Sequence, residues 1–213
     1  IQFIDADDYI ETNMIDKLVR AKEEGTDLVI CGYNCVYKKG CSSEVIKRSP
    51  TNVIYNKEEF MLHFGELYKN VFISSPCNKF YSSKSIRKHN ILFPENISLG
   101  EDLLFNLQYM TDCNKVKIIG DALYNYTKYN NDSLTSKFKV NFFGNQKMLY
   151  IKVKEFLILN RAYTEKNKIF VGMSYGKNII GCLGNLFHQN SNLTVKKKRE
   201  VIDRIINDNS VME

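Results

Sequence analysis

Apolar residues recur at helical spacing from Met14 through Ile15, Leu18, Val19 and Ala21, and Gly25 follows Glu23 and Glu24 as a stop. This predicts an amphipathic helix of about three turns. Residues 27–37 read as a strand, apolar on both faces at first and then alternating, as for a strand running from sheet centre toward an edge. The segment through Ser49-Pro50 is expected to be polar connection, with Val53, Ile54 and Tyr55 a short strand. Asn56 with Glu59 makes a capping-box start, after which Phe60, Met61, Phe64, Leu67 and Tyr68 form one helical face. Ser74-Ser75-Pro76 forbids a continuous helix through Ser75. Ser83 can cap a short helix to His89, and Leu103, Leu104, Leu107 and Met110 give a further helix its buried face. Residues 115–119 and 122–129 look like two strands parted by Gly120-Asp121, followed by a loop at 130–133.

Beyond that loop the period stays helical, over 140–160 and again over 165–189. Gly172, Gly176, Gly181 and Gly184 weaken the second of these helices unless it packs closely against a neighbour. Thr194 opens a last charged helix through Ile206. The expected organisation is an α/β part over 1–135 and a helical extension over 136–213.

Composition narrows the class. With 213 residues, 44% of them hydrophobic, the chain can build a core. Neither an apolar run of membrane-spanning length nor a signal peptide is present, so a soluble, cytoplasmic protein is expected. The first residues read as a strand already under way, without an initiator Met, which suggests an upstream part of a parent protein. The net charge is +6, with 30 basic and 24 acidic residues. The basic residues are dispersed except for Lys196, Lys197, Lys198 and Arg199. That pattern lacks the stripe and module of a nucleic-acid binder. The cluster is either the wet face of a terminal helix or a surface drawn to anionic lipid. Six cysteines without a Cys-x-x-Cys pair read as reduced, packed thiols.

The acids carry the candidate chemistry. Phe-Ile-Asp-Ala-Asp-Asp-Tyr at 3–9 reads as a buried strand whose carboxyl end opens onto a loop. Asp5 and Asp7 would share one side of an extended segment and could face one hard cation, Mg²⁺ or Mn²⁺. Asp8 would point elsewhere. Asp7 and Asp8 could equally serve as cap and charge complement for the next helix. A second acidic site, Glu101 and Asp102, stands at a helix amino terminus, where backbone N–H groups favour ionised carboxylates.

Three separated stretches resemble one family: the 3–10 opening; Asn78-Lys79-Phe80-Tyr81 leading to Ile91-Leu92-Phe93-Pro94-Glu95; and Gly100-Glu101-Asp102-Leu103-Leu104-Phe105-Asn106. In this order they look like family 2 glycosyltransferases of the bacterial cell-surface polysaccharide type. Leu123-Tyr124-Asn125-Tyr126 and Asp132-Ser133-Leu134-Thr135 resemble the element that usually follows. The resemblance covers residues 1 to 136 and implies the acceptor-side half of a Rossmann-like GT-A fold, entered at the Asp-x-Asp motif, with the donor-binding half upstream. It implies transfer of a sugar, with inversion, from a nucleotide-diphosphate sugar to a saccharide or lipid-linked acceptor. Asp7 would bind the divalent metal and Asp5 the ribose or the metal's water shell. Asp102 would be the general base, oriented by Glu101. Asn78, Lys79, Tyr81 and Tyr126 are the expected acceptor contacts, and with no Trp in the chain sugar stacking would fall to Tyr81, Tyr126 or Tyr129.

Two positions depart from the family pattern. Cys77 stands where an aromatic residue commonly precedes Asn-Lys, and Asn125 where many relatives have His, which puts a His metal ligand in doubt. The implied place of work is the cytoplasmic face of the membrane, with peripheral contact through the basic helix. Two alternatives compete. One is a haloacid-dehalogenase-like phosphatase with Asp5 as nucleophile, against which no Gly-Thr pair follows Asp7. The other is a non-catalytic module that binds glycan or a partner.

Overall fold

The structure, a computed structural model, describes residues 1–39, 42–97, 99–129 and 138–212, without the side chains of 39 and 129. The described residues form a mixed six-stranded sheet with eight helices. In chain order these are β1 (Tyr9–Ile10), α1 (Met14–Ala21), β2 (Leu28–Lys39), β3 (Ser42–Arg48), β4 (Val53–Asn56), α2 (Lys57–Lys69), β5 (Lys79–Tyr81), α3 (Ser83–Lys88), α4 (Glu101–Met110), β6 (Lys115–Tyr129), α5 (Phe142–Leu159), α6 (Glu165–Asn185), α7 (Val195–Ile206) and α8 (Asn209–Met212).

The sheet is organised on β2 and β6, which run parallel, in the order β1-β6-β2-β3. β4 adds to β6 and β5 to β2, both antiparallel. Leu28 and Ile30 in β2, with Val116 and Ile118 in β6, face a core completed by Phe60, Phe64, Leu107 and Met110. On the other face Val29, Cys31 and Leu123 pack with Met14 and Leu18 of α1.

Most elements stand where the periodicity puts them, and the departures have physical causes. Residues 3–4 form no strand: Gln2 makes one bridge to Phe80, and Ile4 is half exposed. The expected polar connection contains β3, every residue of which is exposed. Its ladder to β2 holds it without a buried face, so no alternation marks it. The two strands expected at 115–129 are one, β6, with a shift of register where Cys31 pairs Ile119 but Gly32 pairs Ala122. Gly120-Asp121 is thus a bulge rather than a break. Helix α1 is shorter than expected, and Ser82, not Ser83, caps α3.

The capping box of α2 forms as expected: Asn56 Oδ1 accepts from Glu59 N–H at 2.9 Å, and Glu59 Oε2 from Asn56 N–H at 3.0 Å. The helices α5 and α6 share one core with α2 and α4, with Phe156 5.0 Å from Phe64. Asn167 of α6, fully buried, accepts from Gly65 N–H at 2.8 Å and donates to the carbonyls of Met61 and Ala162. A Cβ at Gly65 would strike Asn167, so this glycine permits the close approach. The glycines of α6 do otherwise: nothing lies within 4 Å beyond Gly172, Gly176 or Gly184. They face outward and mediate no packing. The expected boundary near residue 135 and the loop at 130–133 lie outside the described residues.

Candidate functional site

The three motif stretches converge on one aromatic cluster. Phe3 meets Tyr81, Phe93 and Phe105 edge-on at 5.5, 5.4 and 5.5 Å, and Phe93 stacks on Phe105 at 4.2 Å. The rings come from different parts of the chain, and Phe3, Tyr81 and Phe105 stand within three residues of Asp5, Lys79 and Asp102 respectively. Burial of such rings drives the elements together, and edge-to-face geometry fixes how they meet. The carboxylates of the opening and of α4 are thereby brought to one region.

Asp5, Ala6 and Asp7 are exposed and Asp8 is not. Asp8 accepts from the Tyr124 hydroxyl at 2.6 Å and from Thr127 N–H at 2.7 Å, which ties the acidic loop to β6. Burial raises its pKa, and the two donors pull it back. Asp8 is therefore neither a helix cap nor idle: α1 starts six residues later behind Asn13. The Tyr124 hydroxyl also accepts from Asp5 N–H at 3.1 Å, and the Cys77 thiol reaches Asp5 Oδ2 at 3.5 Å. Asp5 and Asp7 are left with carboxylates facing water, held by a frame that does not use them up.

Gly100, with φ of +98°, precedes α4, and a Cβ there would run into Leu149 of α5. That contact seats the helix start carrying Glu101 and Asp102, both half-buried. The Asp102 pKa is pushed up to about 6, first by burial, then by the negative charges of Glu101 and Asp5, with Lys79 opposing. Asp5 and Asp102 thus feel each other's charge although 97 positions separate them. Glu101 Oε2 is buried without a hydrogen-bond partner among the described residues.

Beneath these acids lies a turn, residues 72–77, gripped by buried polar side chains. Lys79, fully buried, donates to the carbonyls of Phe72 (2.8 Å) and Ser75 and to Asn78 Oδ1 (2.8 Å). Three accepting oxygens match the three protons of an ammonium, while burial pushes its pKa down to about 7. Asn106 donates to the carbonyls of Ile73 and Ser74 at 2.8 and 2.9 Å and accepts from the Tyr81 hydroxyl at 2.5 Å. Asn78 donates to Cys31 O and Phe72 O. Of the residues expected to meet an acceptor, Asn78, Lys79 and Tyr81 are at most 2% exposed, with their polar atoms turned to this framework. Tyr126 is half-buried beside Asp8, Asp7 and Asp5, whose charges raise its pKa after burial does.

Asn125, where the family resemblance led to the expectation of His, accepts from Asn34 at 2.9 Å and donates to Glu11 at 3.0 Å, stitching β2 and β6 to the residue after β1. The side chain of Tyr129 and the stretch 132–135 lie outside the described residues. Sequence reasoning missed Asp8, the Tyr124 hydroxyl and Asn106. Only Asn106 left a signal, as a polar residue on the buried arc of α4 between Leu103 and Met110.

No family model matches the chain. It is 30% identical over 138 residues to EpsJ of Bacillus subtilis (strain 168), an uncharacterized glycosyltransferase, covering 63% of this chain and 39% of that protein. With EpsH of the same organism, a putative glycosyltransferase by its description, identity is 25% over 173 residues, 79% of this chain and 48% of that one. Among solved structures, residues 1–349 of S. aureus TarS in complex with UDP-GlcNAc superpose with a TM-score of 0.60 at 16% identity, over 95% of this chain and 54% of that one. TarS is a poly(ribitol-phosphate) β-N-acetylglucosaminyltransferase. The chain spans about half or less of the length of these relatives. Its fold is the α/β fold of TarS, and its homologues are glycosyltransferases.

Proposed function

We propose that this chain is the acceptor-side part of an inverting, family 2 glycosyltransferase of GT-A fold that builds bacterial cell-surface polysaccharide. Residues 1–135 supply the site and 136–213 buttress it, while a donor-binding half precedes the Asp-x-Asp motif in the parent protein. The observation that carries the reading is Asp102, a carboxylate raised to about 6 by burial and by the charges of Glu101 and Asp5. A base with a pKa near working pH is suited to taking a proton from a sugar hydroxyl.

In this reading Asp102 removes the proton from the acceptor hydroxyl as that oxygen attacks the anomeric carbon, and Glu101 orients it. Asp5 and Asp7 would hold Mg²⁺ or Mn²⁺, which would supply positive charge for the diphosphate of a nucleotide sugar. Two exposed carboxylates suit an ion that takes its remaining ligands from water and phosphate oxygens. Bound there, it would offset the charge growing on the leaving diphosphate. Asp8 and Tyr124 keep the acidic loop in place, and Asp102, apart from the ion, stays free to accept a proton. Tyr126 offers a ring to the acceptor sugar. Asn78, Lys79 and Tyr81 shape the floor beneath it. The phosphatase alternative has no support in the fold, which is that of TarS.

Among the described residues no helix is long and apolar enough to cross a membrane. The parent is assigned to the cytoplasmic face of the cell membrane, in contact with it through α7 and acting on a saccharide or lipid-linked acceptor. The test uses the parent protein with Mn²⁺, UDP-GlcNAc as probe donor and a saccharide acceptor. Asp102→Asn is expected to lower transfer about a thousandfold while UDP-GlcNAc affinity stays near normal. Equal loss of both would reassign Asp102 to binding.

A further inference from the structure

From Ile169 onward the outward side of α6 is largely apolar. Ile169, Met173 and Ile180 are 61%, 52% and 71% exposed, and Phe187, in the turn that follows, is 66% exposed. Spacings of four and seven residues align them on one side of the helix, opposite Val171, Tyr175 and Cys182, which are buried. Gly176 and Gly184 lie on the same side with open space beyond them. From 169 to 187 the chain carries a single charged residue, Lys177. Scattered exposed apolar residues need no explanation, but an aligned row does.

Helix α7 begins beside the end of that row. Lys198 Nζ lies 5.1 Å over the ring of Phe187, so the first turn of α7 adjoins it. That turn holds Val195, 80% exposed, then Lys196, Lys197, Lys198 and Arg199, and α7 as a whole has five basic residues to two acidic ones. Lys197 pairs with Glu200 at 2.9 Å. Among the described residues Lys196 and Arg199 have no ion-pair partner.

We infer that the apolar row of α6 and the basic first turn of α7 together form a docking surface for an anionic lipid bilayer. Charge selects the occupant. Acidic headgroups would receive the unpaired cations while the row sinks to the headgroup boundary, the two-part attraction that interfacial helices use. A second copy of the chain would cover the row and leave those cations in water. The inference builds on the membrane-face location proposed above and replaces α7 alone with a two-helix surface. It does not depend on sugar transfer.

The 213-residue chain is floated with vesicles of phosphatidylglycerol and phosphatidylcholine in equal parts, and with phosphatidylcholine alone, at low salt. Binding is expected to the acidic vesicles only. Changing Lys196, Lys197 and Arg199 together to Gln should weaken partition about a hundredfold. Ile180→Ser with Phe187→Ser should weaken it at least about tenfold. Both sets lie on exposed positions, and unchanged circular dichroism checks that the variants fold. The inference is overturned by no flotation, by equal flotation on neutral vesicles, or by flotation indifferent to the charge changes. A dimer in the ultracentrifuge that Ile180→Ser with Phe187→Ser abolishes, without vesicle binding, would overturn it too and give the row to self-association. Flotation without sugar transfer by the parent would keep this surface and remove the glycosyltransferase reading.

Discussion

The turn at 72–77 and the acidic loop at 5–8 meet where the Cys77 thiol reaches Asp5 Oδ2 at 3.5 Å, and they are held in opposite ways. Four carbonyls of the turn, those of Phe72, Ile73, Ser74 and Ser75, are taken by buried side chains, from Asn78, Lys79 and Asn106. The acidic loop has one carboxylate, Asp8, bonded to β6, and leaves Asp5 and Asp7 in solvent. The difference separates two tasks. A floor made of satisfied buried polar groups is rigid because each unmade bond is costly. On the proposed reading, carboxylates that take up a cation keep their oxygens uncommitted.

From that contrast, the floor is expected to break hardest. Asn106→Ala leaves the carbonyls of Ile73 and Ser74 and the Tyr81 hydroxyl without partners, and is expected to cost about 3 kcal/mol or more in urea unfolding. A loss under about 1 kcal/mol would show that the turn does not rely on it. Next comes acidity. As the proposed base Asp102 would work only when ionised, so kcat/KM of the parent should rise with pH, about fivefold from pH 5 to pH 6, and level off above its pKa of about 6. A flat profile across that range would remove it as the base. On the loop, Asp8→Ala should cost only about 1 kcal/mol of stability, the group being partly in water. It should nonetheless weaken Mn²⁺-dependent UDP-GlcNAc binding by the parent about tenfold as Asp5 and Asp7 lose their frame. The smallest effect is at the entry to the turn: Val71 has φ of +64°, a left-handed conformation that a β-branched residue resists. Val71→Gly should raise stability by about 1 kcal/mol, read as a higher midpoint in the same unfolding measurement.

The same contrast explains what could be read from the sequence. The α2 face, its capping box and the helix behind Glu101 and Asp102 were legible because local chemistry and burial agree there. Strand β3 was not, since a fully exposed edge strand shows no period. Asp5, Asp7 and Asp102 announced themselves as acids out of place beside apolar runs. Asn78 and Lys79 were equally conspicuous and suggested contact with a ligand. Their partners are chiefly main-chain carbonyls of the turn at 72–77, whose path the residue types there leave unspecified beyond the break at Pro76. The Tyr124 hydroxyl, too, gained its role from the meeting of residues more than a hundred positions apart.

The central claim is that the opening aspartates and the Glu-Asp pair work in one pocket. It is tested most directly by following the Asp102 carboxyl by NMR through a pH titration, in the chain as it stands and with Asp5→Asn. Asp102 is predicted to titrate near 6 and to shift to lower pH once the Asp5 charge is gone. An Asp102 titration that Asp5→Asn leaves unmoved would contradict the account.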